Sequence, residues 1–311
     1  MRRRGGAAAA SRAGHAGGRA ADARPIMLFL HGFPECAYVW RAQLAAFAPT
    51  HRCVALNMRG FGLSDKPASG GWLGAYAAYG ADELVADIYA FLVSALGVRG
   101  AGAPAAVTLV GHDWGGMVGW WFAHRHPDLV HRLVVMNAPH PALFFRNLSL
   151  AQAKRSLYIV MFQAPLLGEA LMAAFGYAAV RSMYAALVRD GKVREHDVAC
   201  MQWAISRPGV LTAALAYYRA LLQGSHSRAL ADALAAPVDM PVLVLWGLDD
   251  RALTRSLTLG TSALATRLTS QFLPGVSHWT PQDAPDDVNR RMREWLAADA
   301  EGGGAGGAGG A

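Results

Sequence analysis

The six residues Gly111-His112-Asp113-Trp114-Gly115-Gly116 constrain this chain more than any other stretch of it. A continuously apolar run, AVTLV (106–110), precedes them, and a helical segment, 115–126, follows and is stopped by Pro127. A strand that turns directly into a helix crowds the bend, so Cβ groups at 111 and 115 would collide with neighbouring backbone. The residue at the tip, Asp113, is thrust forward on a strained turn, and the new helix points its free N–H groups toward the same spot. Small-x-nucleophile-x-small is the pattern of a nucleophile elbow, with a carboxylate where serine is more familiar. A carboxylate attacks esters and amides poorly. Held in line, it displaces a leaving group from sp³ carbon well and becomes an ester itself.

The rest of the body supplies the frame such a turn needs. IMLFL (26–30) and CVALN (53–57) are short apolar strands, and RLVVM (132–136), VLVLWG (242–247) and SQFLP (270–274) continue the series. Helical patterns at 40–47, 81–95, 255–265 and 285–298 alternate with them, and at 81–95 Leu84, Ile88, Phe91, Leu92 and Ala95 share one face. This alternation predicts an α/β fold with a mostly parallel sheet covered on both sides. Residues 139–236 break the pattern with aromatic-rich helical segments too long for a connection, and they are expected to form a helical cap. The expected organisation is therefore a leader (1–24), a first core segment (25–138), the cap (139–236), a second core segment (237–300) and a Gly/Ala tail (301–311).

An enzyme ester must be hydrolysed, which calls for a general base and a group to orient it. His278, in PGVSHW (274–279), lies just beyond the last strand, and WGLDD (246–250) offers Asp249 and Asp250 beyond the strand before it. Backbone N–H groups near Phe33, in HGFPE (31–35), and at Trp114 are placed to receive the oxyanion of that hydrolysis, each such donor typically worth about 3 kcal/mol. His31 and His112 read as groups that shape the pocket floor. A metal cluster or dinucleotide fingerprint is not evident, and the chemistry needs no cofactor beyond water.

The formal charge of +7 would suit a polyanion partner, but residues 1–25 carry six Arg and one Asp, leaving only +2 for the other 286 residues. With no basic stripe interleaved with aromatics, nucleic acid is not an expected partner, and a neutral small molecule is. Cys36, Cys53 and Cys200 are odd in number and widely spaced, which argues against a disulfide framework. Uninterrupted apolar runs fall short of a transmembrane segment. The Arg/Ala-rich leader has the composition of a disordered segment, and no apolar core follows its arginines as in a secretory signal. Cytoplasmic residence is expected, with an organellar address as the other reading of the leader. Oligomeric state is not legible.

Taken together, HGFPE, MRGFGLSDKP (58–67), GHDWGG, NAPHP (137–141), WGLDD and PGVSHW followed by Gln282-Asp283 resemble the epoxide hydrolases of the α/β-hydrolase superfamily across residues 26–298. The resemblance implies the α/β-hydrolase fold with an inserted cap, and the order Asp113, Asp250, His278 as nucleophile, acid and base. It favours Asp250 over Asp249, because the acid usually stands four residues beyond the Trp. It also implies two cap tyrosines that hydrogen-bond the epoxide oxygen and protonate the departing alkoxide, matched here by Tyr158 in SLYIVMFQ and Tyr218 in AYYRALLQ, with Tyr217 as competitor for the latter. The substrate would be a lipophilic epoxide, and water the co-substrate. Two departures stand out. Family members usually carry two more strands before the one ending in HGFP, so those N-terminal strands are missing here and an exposed sheet edge is expected. Pro281 stands where Gln is more frequent.

Two rival functions share parts of this pattern. Haloalkane dehalogenases use the same carboxylate and base but usually have Asn in place of Phe33 and lack the paired tyrosines, while fluoroacetate dehalogenases usually carry Arg where Trp114 stands. A catalytically inactive hydrolase fold acting as a binding module is the reading from a different class; an intact Asp113, Asp250 and His278 set argues against it.

Overall fold

A computed structural model describes residues 22–68, 76–98, 107–224 and 226–303. The leader up to residue 21 and the tail from 304 lie outside them. Ile26–Leu30 (β1) is buried at every position, and Arg41–Phe47 (α1) leads to Arg52–Leu56 (β2). Ala81–Ala90 (α2) follows, continued by a wider turn at Phe91–Ala95, and then Val107–His112 (β3), Trp114–Arg125 (α3) and Val130–Met136 (β4). The inserted helices are Pro141–Phe144 (α4), Leu150–Arg155 (α5), Leu157–Gln163 (α6), Leu167–Arg189 (α7), Glu195–Ile205 (α8), Val210–Leu222 (α9) and Arg228–Ala233 (α10). The chain returns through Val238–Gly247 (β5), Ala265–Leu273 (β6), Thr280–Asp283 (α11) and Pro285–Gly303 (α12).

The six strands form one parallel sheet in the order β2-β1-β3-β4-β5-β6. The chain runs from β1 to β2 on one side and back to β3 on the other, so the strand order reverses between β1 and β3. Beyond the carboxyl ends of those two strands a crevice opens, which is where ligands bind in open parallel sheets. β2 edges the sheet, and all five of its residues are half-buried.

Backbone crowding at the elbow is as tight as the sequence pattern requires. A Cβ on Gly115 would stand 2.0 Å from the Leu30 carbonyl oxygen, and one on Gly111 would stand 2.3 Å from that of Gly115. Asp113 itself adopts φ 51°, ψ −120°, a conformation that L side chains rarely take. Because the Leu30 carbonyl in its way is β1 backbone in the sheet core, Gly115→Ala is expected to destabilise the fold by about 3 kcal/mol or more. A melting temperature within a degree or two of the parent would contradict this.

Two expected element boundaries need correction. The helix anticipated over 255–265 is instead a pair of short 3₁₀ turns, Arg255–Thr258 and Thr261–Ala263, separated by Gly260 at φ 85°. Ala265 already begins β6, five residues earlier than the anticipated strand at 270. β6 is an outer strand, so its exposed Thr266, Arg267 and Ser270 mask the apolar signal that buried strands display.

Residues 137–237, between β4 and β5, form the cap. Arg219 on α9, almost wholly buried, ties it together: its guanidinium grips Glu169 of α7 at 2.8 and 2.9 Å and donates to the Phe162 carbonyl of α6. α7 is long and apolar, with mean hydropathy 1.4 over its most apolar 18 residues, but its helix breaks at Ala174–Tyr177. Beyond the break Tyr184 is fully buried and donates to the Glu35 carboxylate of the core, so α7 belongs to the cap packing and does not form one continuous span.

Candidate active site

Asp113 stands at the crevice mouth, where the elbow after β3 meets the loop after β1. The Phe33 N–H donates to its Oδ1 at 2.8 Å, so the backbone of HGFPE reaches the carboxylate directly. A Cβ on Gly32 would lie 2.5 Å from that of Asp113, which explains why this loop can approach so closely. Among the described residues the Trp114 N–H makes no such bond to the carboxylate in this resting geometry; the Trp114 indole instead forms the chamber wall, edge-on to Tyr217 and Tyr218.

The other carboxylate oxygen, Oδ2, faces His278 Nε2 across 3.6 Å. His278 Nδ1 is 2.7 Å from Asp250 Oδ2, and the second oxygen of Asp250 accepts the N–H groups of Ala252 and Leu253 at 2.7 and 2.8 Å. Asp250 is buried, whereas Asp249 is exposed, so the acid four residues beyond the Trp is the one that meets the histidine.

Burial raises the cost of charging each of these groups, yet the partners prevail. Asp113 is held below the usual carboxylate range because His278, then His112 and the Phe33 amide, outweigh its desolvation. Asp250 is lowered despite burial by His278, the Leu253 amide and Asn137. His278 is raised well above 6.5: desolvation opposes its charge, but Asp250 and Asp113 favour it more strongly. All three directions favour the imidazolium form of His278 between two ionised carboxylates.

Across the chamber stand Tyr158 of α6 and Tyr218 of α9, ring centroids 5.8 Å apart and nearly perpendicular. Both phenols are pushed above their ordinary range, Tyr158 by burial and the charges of Asp113 and Asp250, Tyr218 by burial, Tyr158 and Asp113. They are therefore neutral donors. Tyr217 points elsewhere, its hydroxyl donating to the Arg59 carbonyl at 2.7 Å. The chamber beside Asp113 has a volume of about 40 Å³ and is otherwise lined by apolar side chains such as Met117, Phe144, Ile159 and Leu253. A second, larger cavity of about 280 Å³ adjoins it, sharing Trp114 and Leu221.

Residues whose part is not readable from the sequence complete the site. Asn137, at φ 41°, donates to Asp250 Oδ2 at 2.7 Å and accepts the Gly247 N–H, fixing the acid against β5. Glu35, buried, accepts from the Gly32 N–H and pairs with His112 Nδ1 at 3.0 Å, while His112 Nε2 meets the His278 carbonyl at 2.8 Å. Asn137 and Glu35 lie in the NAPHP and HGFPE motifs, but a motif does not state which distant group a side chain holds. His31, read from the sequence as shaping the pocket floor, accepts the Met58 N–H at Nε2 and so holds the loop after β2. Pro281 occupies the first turn of α11, its carbonyl accepting from Gln43.

Comparison with known proteins identifies the family to which this fold belongs. The family model of the α/β hydrolase fold matches residues 25–285. The chain is 34% identical over 283 residues to epoxide hydrolase 3 of Xenopus tropicalis, covering 88% of this chain and 72% of that protein. It is likewise 34% identical over 280 residues to epoxide hydrolase 2 of Caenorhabditis elegans, covering 88% and 74%. Among solved structures it is similar to an inhibitor complex of the Bacillus megaterium epoxide hydrolase, with a TM-score of 0.76 at 30% identity over 88% of this chain and 93% of that one.

Proposed function

The chain belongs to the epoxide hydrolase family of the α/β-hydrolase fold, and on that premise we propose that it converts a lipophilic epoxide to a vicinal diol through an alkyl ester on Asp113. The observation that carries this reading is one chamber holding a partnered carboxylate and, across from it, two neutral phenols. Phe33 N–H occupies Oδ1, leaving Oδ2 to strike an epoxide carbon. The C–O bond breaks, its electron pair passes to the ring oxygen, and a phenol of Tyr158 or Tyr218 supplies the proton that a water-poor chamber cannot.

The second half uses the same residues in reverse polarity. Esterification removes the Asp113 charge, and with it one of the two carboxylates that stabilise the His278 cation. Its pKa falls, and the proton can pass back toward the phenolate through the product oxygen. Neutral His278 then takes a proton from water at Nε2, hydroxide adds to Asp113 Cγ, and the oxyanion settles on the Phe33 N–H, joined by that of Trp114. Collapse breaks the acyl–oxygen bond, the His278 proton passes to the departing alkoxide, which leaves as the diol, and the carboxyl proton left on Asp113 returns to His278, with one water consumed. The apolar cavity beyond Trp114 and Leu221 suits an apolar arm on the epoxide.

Incubation with styrene oxide and with an epoxy fatty acid, followed by diol analysis across pH, tests the reading. Diol is expected from at least one of them. Where ester hydrolysis limits turnover, kcat should rise with pH through a pKa lower than that of His278 titrated in the free enzyme. This sign follows because the base must be uncharged and its cation has lost a carboxylate. No diol from any lipophilic epoxide, or a kcat that falls as pH rises through that range, would overturn it.

A further inference from the structure

The outer surface of the cap carries a feature that the reaction does not use. Ten of the 17 exposed large apolar side chains among the described residues lie between Phe145 and Phe175. On α6 the division is sharp: Tyr158, Ile159 and Phe162 face the chamber or core, while Leu157 and Val160 are 64% and 65% exposed on the opposite face. Leu166 follows at 76%, and Phe175 is 96% exposed at the break in α7. That break places Phe175, Gly176 and Tyr177 consecutively at φ 50°, 68° and 63°, a costly conformation that holds an aromatic ring out in water. A monomer rarely displays so many apolar side chains along one stretch of chain without a partner.

Charge indicates which partner. Arg146 and Lys154 are exposed along the same stretch and meet no carboxylate among the described residues, whereas the Arg155 guanidinium turns inward to the Asp250 and Leu253 carbonyls. The one acid between 145 and 175, Glu169, is neutralised by Arg219. A symmetric contact between two copies through this face would set those cations against themselves. An anionic lipid surface satisfies both the apolar row and its basic border.

We propose that the α5–α7 face of the cap is a peripheral docking surface for anionic membranes, laid on the headgroup layer with α6 as the wall shared between lipid and active-site chamber. The docking stands on the surface itself; its use, delivering lipophilic epoxides from the bilayer, rests on the proposed epoxide hydrolysis. Neither part requires a membrane span.

Vesicle co-sedimentation of the full chain tests this, with phosphatidylcholine alone or mixed with phosphatidylglycerol. Binding is expected to the mixed vesicles, tenfold or more above the neutral ones, in keeping with roughly fivefold per juxtamembrane cation, and to fall with added salt. The triple variant V160Q/L166Q/F175S and, separately, R146E/K154E should each lose most of that binding while keeping wild-type circular dichroism. Vesicle binding is read without catalysis, so its failure is distinct from failure of the epoxide reading. Absence of binding to mixed vesicles at low salt overturns the proposal. So does unchanged binding by both variants, which would assign any attraction to the arginine-rich leader. A stable dimer that the triple variant dissolves would assign the face to a second copy.

Discussion

Replacing His278 with Gln is expected to stop the enzyme halfway, with a covalent adduct on Asp113 equal in mass to the epoxide. Alkylation needs the carboxylate and a phenol, both still present, whereas hydrolysis needs the imidazole to take a proton from water. Steady-state turnover should drop on the order of 10²–10⁴-fold, the usual worth of a general base, while one equivalent of epoxide is consumed per site. The variant should keep its loop in place, since His112 grips the backbone carbonyl of residue 278 and not its ring. Intact-protein mass spectrometry followed by peptide mapping reads the result. An unmodified H278Q protein that turns over at the parental rate would show that this histidine is not the base.

The double replacement Y158F/Y218F carries the second large effect, now on the first chemical step. Without either phenol the ring oxygen must leave as an alkoxide in an apolar chamber, and alkylation should slow by about 10²–10⁴-fold. Phe retains the ring packing of Tyr158 and Tyr218 on each other and on Phe162, so the cap is not disturbed. Either single variant should keep more activity than the double, because the two hydroxyls share one chamber. Pre-steady-state epoxide consumption measures the step directly. A substrate whose leaving group is a halide needs no proton, so an unaffected alkylation rate in the double variant would point to dehalogenation instead.

Asp113 and His278 are legible in the amino-acid sequence because short-range sterics and strand order place them, while strand order narrows the acid only to Asp249 or Asp250 and the resemblance alone picks Asp250. The elbow announces itself within six residues, because only glycine tolerates backbone oxygens 2.0–2.3 Å from where a Cβ would be. Strand ends place the acid and base loops on the same sheet edge, and alternation of apolar runs with helices dictates the parallel sheet. Tyr158 and Tyr218 are legible only by resemblance, since nothing in an aromatic helix tells which phenol faces the chamber and which, like Tyr217, bonds a carbonyl elsewhere. The region 255–263 reads as helix but is not one, because a left-handed glycine at 260 interrupts it and β6 hides its strand character behind solvent-facing Thr and Arg. Glu35 and Asn137 act through partners 77 and 113 residues away, across contacts that exist only after folding.

A single turnover in ¹⁸O-labelled water, with enzyme in excess of epoxide, addresses the ester most directly. Water that attacks Asp113 Cγ leaves its oxygen in the carboxylate, while the diol departs with an oxygen that belonged to the enzyme. The expected result is ¹⁸O in the peptide containing Asp113 and none in the first diol. Label in that first diol with an unlabelled enzyme would mean that water opens the ring itself, and Asp113 would not be a nucleophile.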